Sequence, residues 1–550
     1  MIMEYKKIFN QFNDLNILII GDIMIDSYMW GKVERISPEA PVPIATISKT
    51  EDRLGGAANV ALNIRAMGAN PILCSVVGSD PKSKTLISLM KKLNMVKEGI
   101  LFSKERETTV KTRILGNKIQ SIKSLERGFT MNTEIILSNY ENAKKVYAQY
   151  GVDVDKAIEK FKTIPISVHN WQGDDVSGFE GSEGIYSENV VTGNYPGRAR
   201  NGDEMRQDLE QAFKFSPCKH KLNLHSMYAE PKEKRERNEY VTEDYRTWID
   251  WAKKNNLGID FNVSYFTHPM MKDGCSLASD DENVREYWIQ AGIGGRKIAN
   301  DIGEELGQVC INNTWIPDGT KDLSADRGAW RKRLEDSLDR ILETPYDKKN
   351  MRDVVEGKVF GIGTESFVVG SHDFLLAYAI KNGIGITFDT GHYHPTEDVA
   401  DKVTAIYPFV ESINTHLTRG VRWDSDHCLI QNDDLRNILL EIKRQDLFNK
   451  NVDLGLDYFD ATINRVSSWI IGIRAAGKTL LDVLLEPSHL LKEAEKNHKL
   501  TQRLALMDEF KSLPASAVWD YLCMKEGKGV GSSWLKDMEV YEQEVQLKRD

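Results

Sequence analysis

The chain has 550 residues, 41% of them hydrophobic and 28% charged, with a formal net charge of −10. That length favours more than one domain, and that composition a globular protein. No long basic run is present, which argues against nucleic acid or an anionic membrane surface as a partner. The six cysteines are scattered without a CxxC, so neither a zinc knuckle nor a disulfide framework is indicated. No apolar run approaches the ~20 residues of a membrane span. The stretch MIMEYKKIFNQFNDLN has no apolar signal core, and a cytoplasmic location is expected.

In chain order, residues 17–20 read as a buried strand ending at Gly21 and Asp22. RISPEAPVPI follows at 35–44, and LGGAANVALNIRAMGA at 54–69 reads as a Gly-Gly turn opening an amphipathic helix. PILCSVVGSD at 71–80 is another strand, and the alternation predicts an open α/β sheet. GDIMIDSYMWG, RISPEAPVP and GGAANVA resemble the start of a PfkB-type, ribokinase-like sugar kinase, and most closely the heptose-phosphate kinases. The resemblance runs from about residue 17 to 120 and implies a sugar site lined by Asp22, Asp26, Gly55, Gly56 and Asn59.

The late GAGD-type turn of that family, which supplies the anion hole and the catalytic base, occurs nowhere in this chain. Phosphoryl transfer needs both. Residues 1–123 are therefore read as a truncated, inactive kinase fragment and 124–134 as a junction, with residual sugar kinase activity in a bifunctional protein as the alternative. Met131 begins a segment that reads like a natural N-terminus, and an independent start there is one hypothesis.

All 11 histidines lie at His169 or beyond, so histidine chemistry belongs to the later piece. Short apolar runs recur there at 165–171, 221–227, 258–264, 308–316, 359–365, 385–392, 409–417 and 452–460. Amphipathic stretches at 202–215, 242–255 and 326–342 carry apolar residues at three-to-four-residue spacing. Eight strands alternating with helices predict a (β/α)8 TIM barrel, whose active site sits at the C-terminal ends of the strands. Those ends read His169, His225, Asn262, Asn313, Glu365, Asp389 with His392, His416, and Asp460.

GHYHP supplies His392 and His394, and RWDSDH supplies Asp424, Asp426 and His427. In extended chain, residues i and i+2 point the same way, so Asp424 and Asp426 can present two carboxylates to one cation beside His392. Imidazole with carboxylates suits Mn²⁺, Mg²⁺ or Co²⁺ better than a thiophilic metal. Glu365, Asp389, His416 and Asp460 form a candidate second metal set. An isolated DxD or HxH is more often a solvated turn; two of them after consecutive barrel strands shift the balance to function. His394 and His427 are read as supporting residues rather than ligands. The segment 472–479 matches the phosphate-loop pattern GxxxxGK[ST], but its flanks read as one continuous helix with no turn, so no nucleotide site is expected.

HNWQGDDVSGFE, TGNYPG, LNLHSMYAE, DFNVSYFTHP, WIPDGTKD, FGIGTESFVVGS, DTGHYHPTE, RWDSDH and GLDYFDATINR together resemble the L-rhamnose isomerase family, over about 150 to the C-terminus. The resemblance implies an isomerase domain at 135–550, with a barrel of the xylose-isomerase-like type and a helical C-terminal extension. It implies Mn²⁺ as cofactor, with Co²⁺, Mg²⁺ or Zn²⁺ as alternatives at a second site. It also implies a cytoplasmic homotetramer acting on L-rhamnose and related aldoses. His392, Asp424 and Asp426 then hold one metal, and Glu365, Asp389, His416 and Asp460 the other.

A metal-assisted hydride shift from C2 to C1 is the expected mechanism, with Asp460 or metal-bound water moving the hydroxyl proton. An enediol route with Glu365 as base is the rival. Trp171, Phe266 and Trp315 are candidates to cover the apolar face of the sugar, and His225 and His268 to open the ring. A metal-dependent phosphodiesterase barrel of the apurinic-endonuclease type is the other class; the acidic composition disfavours its basic groove.

Overall fold

The computed structural model describes residues 12–36, 43–93, 95–116, 133–180, 193–271, 273–361, 363–421 and 426–549. Backbone contacts divide the chain into two units, Met1–Arg127 and Gly128–Asp550.

In the first unit β1 (Asn16–Ile20), β4 (Asn70–Gly78) and β5 (Ile100–Ser103) form a parallel sheet in the order β1–β4–β5. β2 (Ile23–Ile36) pairs antiparallel with β3 (Pro43–Gly56) and parallel with β6 (Val110–Gly116). The expected α/β arrangement is present, as two three-stranded sheets. Gly56 has φ 61°, and a Cβ there would stand 2.4 Å from the Asp22 carbonyl oxygen, so only glycine fits where the chain turns into α1 (Ala57–Ala66). Asp80 caps α2 (Pro81–Lys92), accepting from the Lys82 and Ser83 amides. Ile25, Leu54, Leu73, Leu86 and Met90 build its core.

In the second unit β7 (Pro165–His169), β8 (Lys219–His225), β9 (Gly258–Asn262) and β10 (Cys310–Thr314) pair in parallel, each with the next. β11 (Gly319–Thr320) stands outside this series. β12 (Met351–Glu356) continues it, and β13 (Phe367–Val368) forms a small antiparallel pair with β11. β14 (Gly385–Asp389), β15 (Ile413–Leu417) and β16 (Val452–Leu456) complete the circuit, and β16 pairs with β7 to close an eight-stranded barrel. Strands covered by helices outside and by packed side chains inside are buried on both faces, as these are.

The amphipathic stretches form the expected helices. α3 (Gly202–Phe213) buries Met205, Leu209 and Ala212 and is capped by the Asn201 side chain. α4 (Arg246–Asn255) follows a 3-10 turn at Thr242–Tyr245, and α5 (Arg327–Leu342) is capped by Asp326. α6 (Asp433–Arg444) buries Leu435, Ile438, Leu439 and Ile442. The phosphate-loop look-alike lies inside the continuous helix α7 (Arg465–Leu485). Its glycines serve packing: a Cβ on Gly472 would stand 2.0 Å from the Tyr458 hydroxyl, and one on Gly477 2.4 Å from Cys218 Sγ. Among the described residues no helix is long and apolar enough to cross a membrane.

The fifth strand departs from the sequence expectation. The apolar run at 359–365 is not a strand in its described residues; β12 forms at Met351–Glu356 instead. Arg352 and Asp353 hide that strand from an apolar pattern. Both find partners: Asp353 takes Arg296 Nε at 3.0 Å and Nη2 at 2.9 Å, and Arg352 Nη1 stands 3.7 Å from Asp453 Oδ2.

Candidate active site and metal centre

Parallel barrel strands all end on one face, where their last side chains converge. Glu356 ends β12, Asp389 ends β14, His416 lies in β15 directly opposite Asp389, and Asp457 follows β16. Ligand-type atoms of these four buried residues all lie within 4.8 Å of one another. His416 Nδ1 is 3.2 Å from Glu356 Oε2 and 3.1 Å from Asp457 Oδ2. A second group, Asp389, His392 and Asp426, shares Asp389. His392 Nδ1 stands 2.9 Å from Glu356 Oε1 and 3.9 Å from Asp389 Oδ2. A third, His169, His416 and Asp457, adjoins them.

Three buried carboxylates around one imidazole repel one another unless positive charge is present. Burial and the neighbouring Asp426, Glu356 and Asp457 carboxylates push Asp389 well above the usual carboxylate range, although His392 pulls the other way. Burial also pushes Glu356 up, but His416 and His392 outweigh it and hold that carboxyl well below its usual range. Burial disfavours the His392 cation, yet Asp389 and Glu356 raise its pKa to about 10. Asp389 Oδ1 accepts the Gly391 amide at 2.7 Å, while the buried Oδ2 accepts no hydrogen bond among the described residues. An acceptor left open among carboxylates and imidazoles fits a divalent cation by donor chemistry.

Glu356, His392, Asp426 and Asp457 of these groups line a cavity of about 470 Å³. Trp171, Phe266, Trp315, Ile316 and Phe459 give it apolar walls. Trp171 stacks on His225 with ring centroids 4.0 Å apart, and Phe266 meets Trp315 edge-on at 5.4 Å. Lys358 lines the same cavity with its ammonium 5.2 Å from the Trp315 ring centre. Asn313 donates to Glu356 Oε2 at 2.6 Å and accepts from Thr387, fixing the carboxylate from the side.

The structure brings most of the sequence-predicted residues here. His392, Asp426, Asp389 and His416 fall in the metal-type groups, while Trp171, Phe266, Trp315, His225 and Asp460 line the cavity. Asp424 lies outside the described residues. Two expected ligands stand elsewhere. Glu365 is an exposed residue whose Oε1 accepts the Gly363 amide at 3.2 Å, and Glu356 occupies the β12 end in its place. Asp460 Oδ1 accepts from the Thr462 amide at 3.0 Å, beyond the end of β16, and Asp457 takes the position in the group.

The cause is strand placement in the first case and strand length in the second. β12 is a different strand from the one expected, and β16 stops at Leu456, one residue before Asp457. His268 does not line the cavity; its Nε2 is 3.1 Å from the Tyr287 hydroxyl and 3.5 Å from Glu236 Oε2. His394 is exposed, with Nδ1 2.7 Å from Thr396 Oγ1. Glu356, Asp457 and Lys358 were not singled out by motif. For Glu356 the available signal is the Val354–Val355 pair running into an acid.

Residues 134–549 match the L-rhamnose isomerase (RhaA) family, and residues 14–149 match the pfkB family of carbohydrate kinases. The L-rhamnose isomerase of Rhodopirellula baltica is 47% identical over 411 residues, covering 74% of this chain and 96% of that protein. That of Lactiplantibacillus plantarum is 46% identical over 421 residues, covering 76% and 98%. A solved structure of L-ribulose 3-epimerase is 13% identical with a TM-score of 0.37, covering 61% of this chain and 97% of that one. Beyond its pfkB-type N-terminal region, the chain belongs to the L-rhamnose isomerase family.

Proposed function

We propose that this chain interconverts L-rhamnose and L-rhamnulose with divalent cations held at the barrel mouth, as a cytoplasmic homotetramer. The observation that carries the reading is the buried group Glu356, Asp389, His416 and Asp457, of which Glu356 and Asp457 line an apolar-walled cavity. The near full-length match to isomerases of two bacteria supports it. Glu356, Asp389, His416 and Asp457 would hold one ion. His392 and Asp426, with Asp424 two residues before it in sequence, would hold the other. Mn²⁺ is the ion we favour, with Co²⁺, Mg²⁺ or Zn²⁺ at the second position. Bound cations polarise the sugar carbonyl and stabilise negative charge developing on its oxygens.

The chain's own residues do the rest. Trp171, Phe266 and Trp315 cover the sugar and keep water from the reacting carbons. Breaking C2–H and forming C1–H moves hydrogen with its electron pair, so the C2 alcohol is oxidised as the C1 carbonyl is reduced. Asp460, at the cavity wall, is the group we assign to carry the proton from O2 to O1. His225, at the cavity wall, is the group we assign to open the ring. Residues 1–123 contribute no phosphoryl transfer in this reading.

The test is ketose formation from L-rhamnose by the full chain in Mn²⁺. L-rhamnulose should accumulate to an equilibrium mixture. Absence of any ketose with Mn²⁺, Co²⁺, Mg²⁺ or Zn²⁺ refutes the reading.

A further inference from the structure

The turn after β9 holds two residues in left-handed backbone, Ser264 at φ 59° and Thr267 at φ 51°. Neither is glycine, and Thr267 is β-branched, so surrounding contacts must offset the cost of these conformations. One side chain supplies them. Arg237 is buried, its side chain wholly so, and a guanidinium carries five N–H donors. Nη1 donates to the Ser264 carbonyl and, at 2.6 Å, to the Phe266 carbonyl. Nη2 donates to the Thr267 carbonyl at 3.1 Å and to Glu180 Oε2 at 2.5 Å, while Nε donates to Glu180 Oε1 at 3.0 Å. Every donor is thus used, and the Glu180 carboxylate balances the buried charge. Both left-handed residues give their carbonyls to this one guanidinium.

The turn meets the cavity at a residue the reaction needs. Ser264 lines the cavity, and its Oγ stands 3.2 Å from His225 Nδ1. On the other side of the ring, His225 Nε2 lies 2.9 Å from His169 Nδ1. Trp171 stacks on the imidazole. The ring is therefore held on one face and at both nitrogens. Side-chain direction follows backbone conformation, so a Ser264 released from its left-handed state carries its hydroxyl elsewhere. Neither Arg237 nor Glu180 lines the cavity, so their influence reaches the sugar through this turn.

We propose that Arg237 is a positioning residue. By holding Ser264 in left-handed backbone it keeps the serine hydroxyl on His225 Nδ1, and so fixes the imidazole in the cavity wall. The proposal rests on the isomerase reading above, in which His225 opens the sugar ring. Proton transfer slows steeply when the transferring group is misplaced by about 1 Å.

The test compares Ser264→Ala, Arg237→Lys, Glu180→Gln and the pairs of each of the last two with Ser264→Ala, in the full chain with Mn²⁺ and below the melting temperature of every variant. It reads kcat and KM on L-rhamnose, and the isotope effect on kcat with L-rhamnose deuterated at C2. Ser264→Ala should lower kcat roughly tenfold with KM little changed. Lysine keeps the charge but cannot meet five acceptors, so Arg237→Lys should lower kcat at least as far. Glu180→Gln, which keeps Arg237 but weakens its anchor, should lower kcat less. Arg237→Lys with Ser264→Ala should fall no lower than Arg237→Lys alone, and Glu180→Gln with Ser264→Ala no lower than Ser264→Ala alone. Ring opening precedes hydrogen transfer, so the isotope effect should be no larger in any variant than in the parent. Unchanged kcat in Ser264→Ala, a further loss in either pair, or a larger isotope effect would overturn the proposal. Should Arg237→Lys fail to fold, Glu180→Gln and its pair decide. Inactivity of the unmodified chain on L-rhamnose would instead overturn the isomerase reading, and this proposal with it.

Discussion

Asp389 and His416 stand in direct register on neighbouring barrel strands, and Asp389 Oδ2 lies 3.9 Å from His416 Nδ1. The same oxygen lies 3.9 Å from His392 Nδ1, so one carboxylate adjoins both metal-type groups. Asp389→Asn should therefore weaken metal binding at both and cut kcat/KM at least roughly a hundredfold. It also replaces a buried carboxyl whose ionisation three neighbouring carboxylates oppose. The chelated variant should then melt no lower than the chelated parent. Metal analysis and melting curves check both; full metal content in the variant would contradict the assignment.

Much of this site was legible in the sequence because barrel strands place their C-terminal residues at one mouth. His392, Asp389 and His416 follow or end apolar runs that do form strands. Glu356 was not legible, because Arg352 and Asp353 break the apolar pattern of β12 and find their partners in distant Asp453, Arg296 and Asn312. Asp457 sat within an expected run, but nothing local marks where a five-residue strand stops. The lysine cation over Trp315 is a tertiary fact with no sequence pattern of its own.

The isomerisation should transfer hydrogen directly. L-rhamnose deuterated at C2 and turned over in ordinary water should give L-rhamnulose that keeps most of its deuterium at C1. NMR of the product checks this. Complete washout would favour proton exchange through an enediol.

His220 makes acid stability a readout of packing. It is buried, stacked on Phe213 at a centroid distance of 4.4 Å. Burial, with Lys528 adding, lowers its pKa to about 3 from 6.5. The folded state thus binds fewer protons than the unfolded one. Its contribution is complete above pH 6.5 and is lost as pH falls toward 3, at about 1.4 kcal/mol per pH unit. His220→Leu should shrink the fall in melting temperature between pH 7 and pH 5. An equal fall in both proteins would contradict the assignment.

Gly472 is fixed by Tyr458 rather than by phosphate. Tyr458 donates to the Ser468 carbonyl at 3.0 Å, and a Cβ at 472 would stand 2.0 Å from that hydroxyl. Gly472→Ala should destabilise the barrel by about 1–3 kcal/mol through overpacking. A melting temperature equal to the parent's would show that the helix can shift to make room.

The most direct measurement sets Glu356→Gln beside Glu365→Gln, each assayed for bound metal and for L-rhamnulose formation by the full chain. Glu356 meets His416 and His392 at the barrel mouth, whereas Glu365 is exposed. The expected result is that Glu356→Gln loses metal and at least roughly a hundredfold in kcat/KM, while Glu365→Gln keeps both. Loss of metal and activity in Glu365→Gln, with Glu356→Gln intact, would contradict it.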